Sequence, residues 1–135
     1  MKLKELTQLM DIPPEEHEIE FNGLTNDSKS VQPGNLFIAI NGYKQNGFLY
    51  LDEAIRNGAS AALIEHGLTG PPGFPAIPVG NIRRVQGLTA SRFFSEPSRR
   101  LRVIGVTGTN GKTTVAHLIK HLLSSVGIPA GLIGN

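Results

Sequence analysis

The stretch Val103-Ile-Gly-Val-Thr-Gly-Thr-Asn-Gly-Lys-Thr-Thr114 limits what this chain can fold into more than any other. A β-branched apolar run enters a loop carrying Gly105, Gly108 and Gly111. It leaves through Lys112 into a segment whose Val115, Leu118, Ile119, Leu122, Leu123 and Val126 share one helical face. Strand, glycine loop, lysine and helix in that order form the context of a phosphate-binding loop. Backbone N–H groups converge on phosphate oxygens only where side chains are absent, hence Gly108 and Gly111, and the helix N-terminus adds positive potential. On this reading Gly108, Thr109, Asn110, Gly111, Lys112, Thr113 and Thr114 line a phosphate site. Lys112 reaches the β- and γ-phosphates, Thr113 offers its hydroxyl to Mg²⁺, and Thr114 is a weaker metal or phosphate candidate. The loop departs from the pattern G-x-x-x-x-G-K-[ST] at one place, because the first glycine would fall on Val106, between Gly105 and Gly108. The competing reading, a glycine-rich turn followed by a surface lysine, leaves the strand-to-helix context unexplained.

Upstream, the periodicity predicts an α/β arrangement. Leu3, Leu6, Leu9 and Met10 predict a short amphipathic helix over 2–10, ended by Pro13-Pro14, and the alternation His17 to Phe21 predicts a half-buried strand. A polar loop is expected from Asn22 to Ser30, and a strand over Leu36 to Ile40 after the turn Pro33-Gly34-Asn35. A helix over 48–57 stopped by Asn57-Gly58 and a small-residue strand over Ala59 to Ile64 complete a βαβ rhythm. Glycines and prolines dominate 67–80, with Ala76 to Val79 as an edge strand that tolerates Pro78. Helix then runs from Asn81 to about Ser95, broken by Glu96-Pro97-Ser98, and Leu101 to Val106 reads as a new strand. The expected organisation is a small mixed-sheet domain over 1–97. Residues 98–135 follow as the first strand, phosphate loop and helix of an incomplete ATPase domain.

Composition removes several function classes. None of the 135 residues is cysteine, which excludes disulfide frameworks, thiol nucleophiles and Cys-ligated metal. The longest run of large apolar residues is the stretch Leu36 to Ile40, far short of the roughly 20 residues of a membrane span. Glu5, Gln8 and Asp11 interrupt any signal-peptide core, so a cytoplasmic location is expected. Net charge is +2. Arginines 83, 84, 92, 99, 100 and 102 cluster with Phe93, Phe94 and a single acid, Glu96. A solvated helix face leading into a phosphate loop explains that cluster without nucleic acid. His117 and His121 lack the glutamate of a zinc-binding helix and point away from the apolar stripe, and neither they nor His17 and His66 receive a role.

The string Gly105 to Thr114 resembles the nucleotide loop of the Mur ligases, ATP-dependent amide-bond-forming enzymes of bacterial peptidoglycan assembly. Asp27-Ser-Lys29, Pro33 to Ile40, Gly42-Tyr-Lys-Gln-Asn-Gly47 and Ala54 to Ala62 resemble the family's first, uridine-nucleotide-binding domain. Phe93-Phe-Ser-Glu-Pro-Ser98 and Gly131-Leu-Ile-Gly-Asn135 are similar to the branch that adds a diamino acid to a UDP-N-acetylmuramoyl dipeptide. The resemblance implies that Asn26, Ser28, Tyr43, Lys44 and Gln45 contact the uridine diphosphate end of that substrate. It also implies that Gly108 to Thr114 hold ATP, that Mg²⁺ is required and that an acyl phosphate precedes amide formation. It further implies a monomer when complete, with no nucleic-acid or membrane partner. The family's modified lysine, later metal ligands and amino-acid-selecting domain have no counterpart here, so no catalytic residue is assigned and the chain alone is expected not to turn over. A dipeptide-adding Mur ligase, a generic P-loop NTPase and a non-catalytic nucleotide-sugar-binding fragment remain as alternatives. Without the resemblance, Ser28 and the Asn41 to Gly47 loop read as ordinary turn formers, although that loop follows a strand's carboxyl end, where open α/β sheets bind ligands.

Overall fold

The computed structural model describes residues 1–42 and 46–134, which divide into two compact units, Met1–Pro97 and Ser98–Asn135. The first is an α/β layer built on a four-stranded sheet in the order β1-β2-β3-β4, where β1 is Gly23–Thr25, β2 Asn35–Ile38, β3 Ala61–Glu65 and β4 Ala76–Val79. All three strand pairings are parallel, with Leu24 beside Leu36, Phe37 beside Ala62, and Leu63 beside Ile77. The mixed sheet expected from sequence is thus parallel throughout. Parallel pairing needs a crossover for each connection. Only the step from β2 to β3 carries an α-helix, α1 (Leu51–Arg56), entered through a 3₁₀ turn at Gly47–Tyr50.

Alternation along the strands sends successive side chains to opposite faces and creates two cores. Leu36, Ile38, Ala61, Leu63, Ile77 and Val79 face one side, where Leu3, Leu6, Phe21 and the first turns of α2 (Ile82–Phe93) cover them. Phe37, Ala39, Ala62 and Ile64 face the other, against Val31, Leu51 and Ala54. Pro78 lies on β4, an outer strand, where its missing N–H costs no ladder bond.

Three expected elements differ. The helix over 2–10 is a 3₁₀ turn at Leu3–Leu6, closed by i→i−3 bonds such as Glu5 N–H to the Lys2 carbonyl at 3.1 Å, while the N–H groups of Leu3 and Lys4 donate to the carbonyls of Ile19 and His17 at 2.9 and 3.1 Å. The predicted strand 17–21 contributes only the isolated antiparallel bridge between Lys2 and Glu20. The strand instead falls two residues later, at Gly23–Thr25, inside the predicted polar loop. Finally, 102–107 have no regular structure, since a strand requires a neighbour to bond its N–H and C=O groups and none of the described residues supplies one.

The second unit contains α3 (Lys112–Ser125), none of whose residues is buried. Its apolar stripe is open: Leu118 and Leu122 are each 56% exposed. The helix ends where Gly127, at φ +78, lets the Ile128 N–H return to the Leu123 carbonyl at 2.9 Å.

Candidate nucleotide-binding sites

Because the four strands are parallel, their carboxyl ends lie along one edge of the sheet, the edge at which open α/β sheets bind ligands. Asn26, exposed, is the first residue beyond β1. Asp27 turns the chain into a 3₁₀ segment, Ser28–Ser30, by accepting from the Lys29 N–H at 3.1 Å and from the Ser30 hydroxyl at 2.7 Å. The Ser30 bond, then the Lys29 bond, holds its carboxyl below the usual carboxylate range. Ser28 is only 5% exposed. Its hydroxyl donates to the Glu53 carboxylate of α1, and its carbonyl accepts from Asn57 Nδ2 at 2.8 Å. With its proton committed to Glu53, Ser28 Oγ is left to a ligand only as an acceptor.

The chain also leaves the sheet beyond β2. Tyr43, Lys44 and Gln45 lie outside the described residues, but the chain on either side of them is closely tied. Asn41 Nδ2 donates to Glu65 Oε2 at 2.8 Å, and Arg83 Nη2, from the first turn of α2, donates to the Asn41 carbonyl at 2.7 Å. The returning chain is capped by Asn46, whose Oδ1 accepts from the Phe48 N–H at 2.9 Å. Gly47 packs so tightly on β2's end that a Cβ there would lie 2.3 Å from the Ile40 carbonyl oxygen. Thus the loop's two ends meet at Ile40 and Asn41. Nothing local marks Glu53, Asn57, Glu65 and Arg83 as partners of these residues, and sequence reading misses the pairings because each spans at least 24 positions in the chain.

The second site is the glycine loop. Gly108, Thr109, Asn110 and Gly111 are exposed and precede α3, whose first turn holds Lys112, Thr113 and Thr114. Gly111 sits at φ +73, a left-handed conformation that an L side chain resists, and serves as N-cap. Lys112 folds back over the loop, its Nζ donating to the Gly108 carbonyl at 2.6 Å. A cation held over a glycine turn, beside first-turn N–H groups that have no acceptor within the helix, fits a nucleotide's phosphates. For Mg²⁺ the fit is narrower. No cluster of three His, Asp or Glu exists among the described residues, and what the loop itself offers is the Thr113 hydroxyl, beside phosphate oxygens and water.

Residues 20–96 match the model described as "Mur ligase family, catalytic domain" and 106–135 the "Mur ligase middle domain". The UDP-N-acetylmuramoyl-L-alanyl-D-glutamate–2,6-diaminopimelate ligase of Listeria innocua is 40% identical over 137 aligned positions, covering 100% of this chain and 28% of that protein. Its namesake from Caldanaerobacter subterraneus is 39% identical, covering 87% of this chain and 24% of the relative. A solved ligase of the same name aligns with TM-score 0.74 at 30% identity, over 94% of this chain and 26% of that one. The MurF ligase of Thermotoga maritima, in complex with ADP, aligns with TM-score 0.56 at 28% identity, over 79% and 24%. The chain therefore spans about a quarter of the length of the curated relatives it matches.

Proposed function

The chain belongs to the Mur ligase family, and on that premise we propose that it carries two binding elements of an ATP-dependent amide-forming ligase. Asn26, Ser28, Tyr43, Lys44 and Gln45 would receive the uridine diphosphate end of UDP-N-acetylmuramoyl-L-alanyl-D-glutamate. Gly108 to Thr114 would receive ATP, and Thr113 would face Mg²⁺. In this division residues 1–97 are the substrate-nucleotide domain, and 98–135 open the ATP-binding domain of a cytoplasmic, monomeric enzyme. Bound ATP supplies a phosphoryl group to the terminal carboxylate of the muramyl dipeptide. ADP leaves, and the amine of a diamino acid then displaces phosphate from the acyl phosphate as the amide forms.

This chain's own residues act by binding and charge. The Lys112 ammonium neutralises phosphate charge, the α3 N-terminus aims backbone N–H groups at the same oxygens, and the glycines let the backbone approach them. The observation that carries the reading is the conjunction at Gly111 and Lys112: a left-handed glycine opening a helix, with the next side chain turned back over the loop. A dipeptide-adding ligase is a second reading, favoured by the ADP-bound MurF neighbour. The names and identities of the curated relatives favour the diamino acid.

Calorimetric titration with ATP tests the loop. Lys112→Ala should cost about 1.5–3 kcal/mol of binding free energy, the worth of a hydrogen bond to a charged group. Equal affinity in variant and parent would reject Lys112 as the phosphate ligand.

A further inference from the structure

The cluster formed by Asn41, Glu65 and Arg83 gathers the third residue beyond β2, the last residue of β3 and the first turn of α2 at the carboxyl edge of the sheet. The Glu65 carboxylate has no proton to donate, so it can face only the NH₂ side of the Asn41 amide, which fixes which way that amide points. Asn41 Oδ1 is consequently turned away, shielded from solvent and without a donor among the described residues. An acceptor left in that state costs free energy unless something supplies a donor. Arg83 adds a second restraint, because its charged donor holds the backbone carbonyl of the same residue. On the far side, Gly47 closes on the Ile40 backbone, and any Cβ would be stopped by the Ile40 oxygen and nitrogen at 2.3 and 2.7 Å. One end of the loop is therefore fixed by contact and the other by three polar groups, all contributed by side chains.

We propose that Arg83 and Glu65 are positioning residues for the uridine-nucleotide site: through Asn41 they set where and in what direction the chain leaves β2 toward the substrate. The proposal rests on the reading that this edge binds the UDP-sugar. Neither residue touches the substrate in this account. Arg83 orients the Asn41 peptide, and Glu65 orients the Asn41 amide, leaving its buried Oδ1 as an acceptor. Such preorganisation strengthens binding by reducing the ordering left to do when the ligand arrives.

The test is titration of the 135-residue chain with UDP-N-acetylmuramoyl-L-alanyl-D-glutamate, alongside urea unfolding of each variant. Arg83→Met should weaken binding about fivefold, the effect of one hydrogen bond, with the unfolding midpoint held, since Arg83 is exposed. Arg83→Lys keeps one charged donor and should recover most of the affinity. Asn41→Asp sets a carboxylate against Glu65 and should weaken binding at least as much. Combining Asn41→Asp with Glu65→Gln lets the new amide donate in the reverse sense and should restore it. Parent-like affinity in both Arg83→Met and Asn41→Asp overturns the proposal. So does a loss of unfolding midpoint in proportion to the loss of affinity, which would make the cluster a structural tie. A parent chain that binds no UDP-sugar nucleotide overturns the reading of the edge itself, and the positioning role with it.

Discussion

In β3, Ala61 and Leu63 are buried on one face of the sheet and Ala62 and Ile64 on the other, each against residues of other elements. In α3, the stripe Val115, Leu118, Leu122 and Val126 has the same regularity, yet no residue of the helix is buried. Both segments obey their local periodicity. What separates them is whether the chain brings a second apolar layer to the face that periodicity creates. Residues 3–6, α1 and α2 do so for the sheet. For α3, the described residues of its own unit do not, and 102–107 form no strand to pack beneath it.

The sharpest way to break this comparison is to truncate one leucine in each region. Leu63, fully buried between β2 and β4, should cost about 2–5 kcal/mol on replacement by Ala, through lost transfer energy and the cavity left behind. Leu118→Ala removes the same atoms from an exposed position and should stay within about 0.5 kcal/mol. Urea unfolding followed by circular dichroism measures both. Similar losses would mean that α3 is covered in solution. Hydrogen exchange sharpens the point: the amides of α3 should exchange well before those of β2.

Gly47→Ala probes how the first unit holds its loop. The new Cβ would meet backbone rather than a movable side chain, so the strain cannot be relieved by a rotamer change, and about 1–3 kcal/mol of stability should be lost. A neutral outcome in the same unfolding assay would show that the return from Asn46 is looser than its contacts indicate.

These contacts mark where sequence reading stops. Leu36 to Ile40, the helix ended by Asn57-Gly58, the edge strand with Pro78 and the helix from Ile82 were legible because each carries its own periodic or terminating signal. Gly23–Thr25 was not, having one apolar residue in three, and it is a strand because Asn35 to Phe37 pair with it. The helix drawn through Leu3, Leu6, Leu9 and Met10 failed for a related reason. An i, i+3 spacing suits a 3₁₀ turn equally, and the N–H groups of Thr7 and Leu9 return to the carbonyls of Lys4 and Leu6, three residues back. At the candidate sites the glycine loop was readable as a string. The long-range partners of Ser28 and Asn41 were not.

Ser28 gives a smaller effect that joins site to scaffold. Its hydroxyl is committed to Glu53, so Ser28→Ala should cost about 1 kcal/mol of stability with no ligand present, and weaken the UDP-sugar by a similar amount. Unchanged stability with weakened binding would show that the hydroxyl serves the ligand alone.

The smallest expected effect lies at the N-terminus of the first unit. Glu18 accepts from Lys2 Nζ at 2.6 Å and from Lys4 Nζ at 2.8 Å, and those bonds, then the lysine charges, pull its carboxyl from 4.5 down to about 2. The partner agrees in direction, since Lys2 is raised, chiefly by its bond to Glu18. A carboxyl whose folded value lies below its unfolded one stabilises the fold above about pH 4.5, and that contribution fades as pH falls toward 2. All three groups face solvent, so screening keeps the effect slight and makes it salt-dependent. Glu18→Gln should therefore leave the unfolding midpoint at neutral pH almost unmoved, while the difference between parent and variant shrinks further on acidification and in high salt. Carboxyl titration by NMR reads the pair directly: a Glu18 midpoint near 4.5 would mean that the two lysines do not hold it in solution.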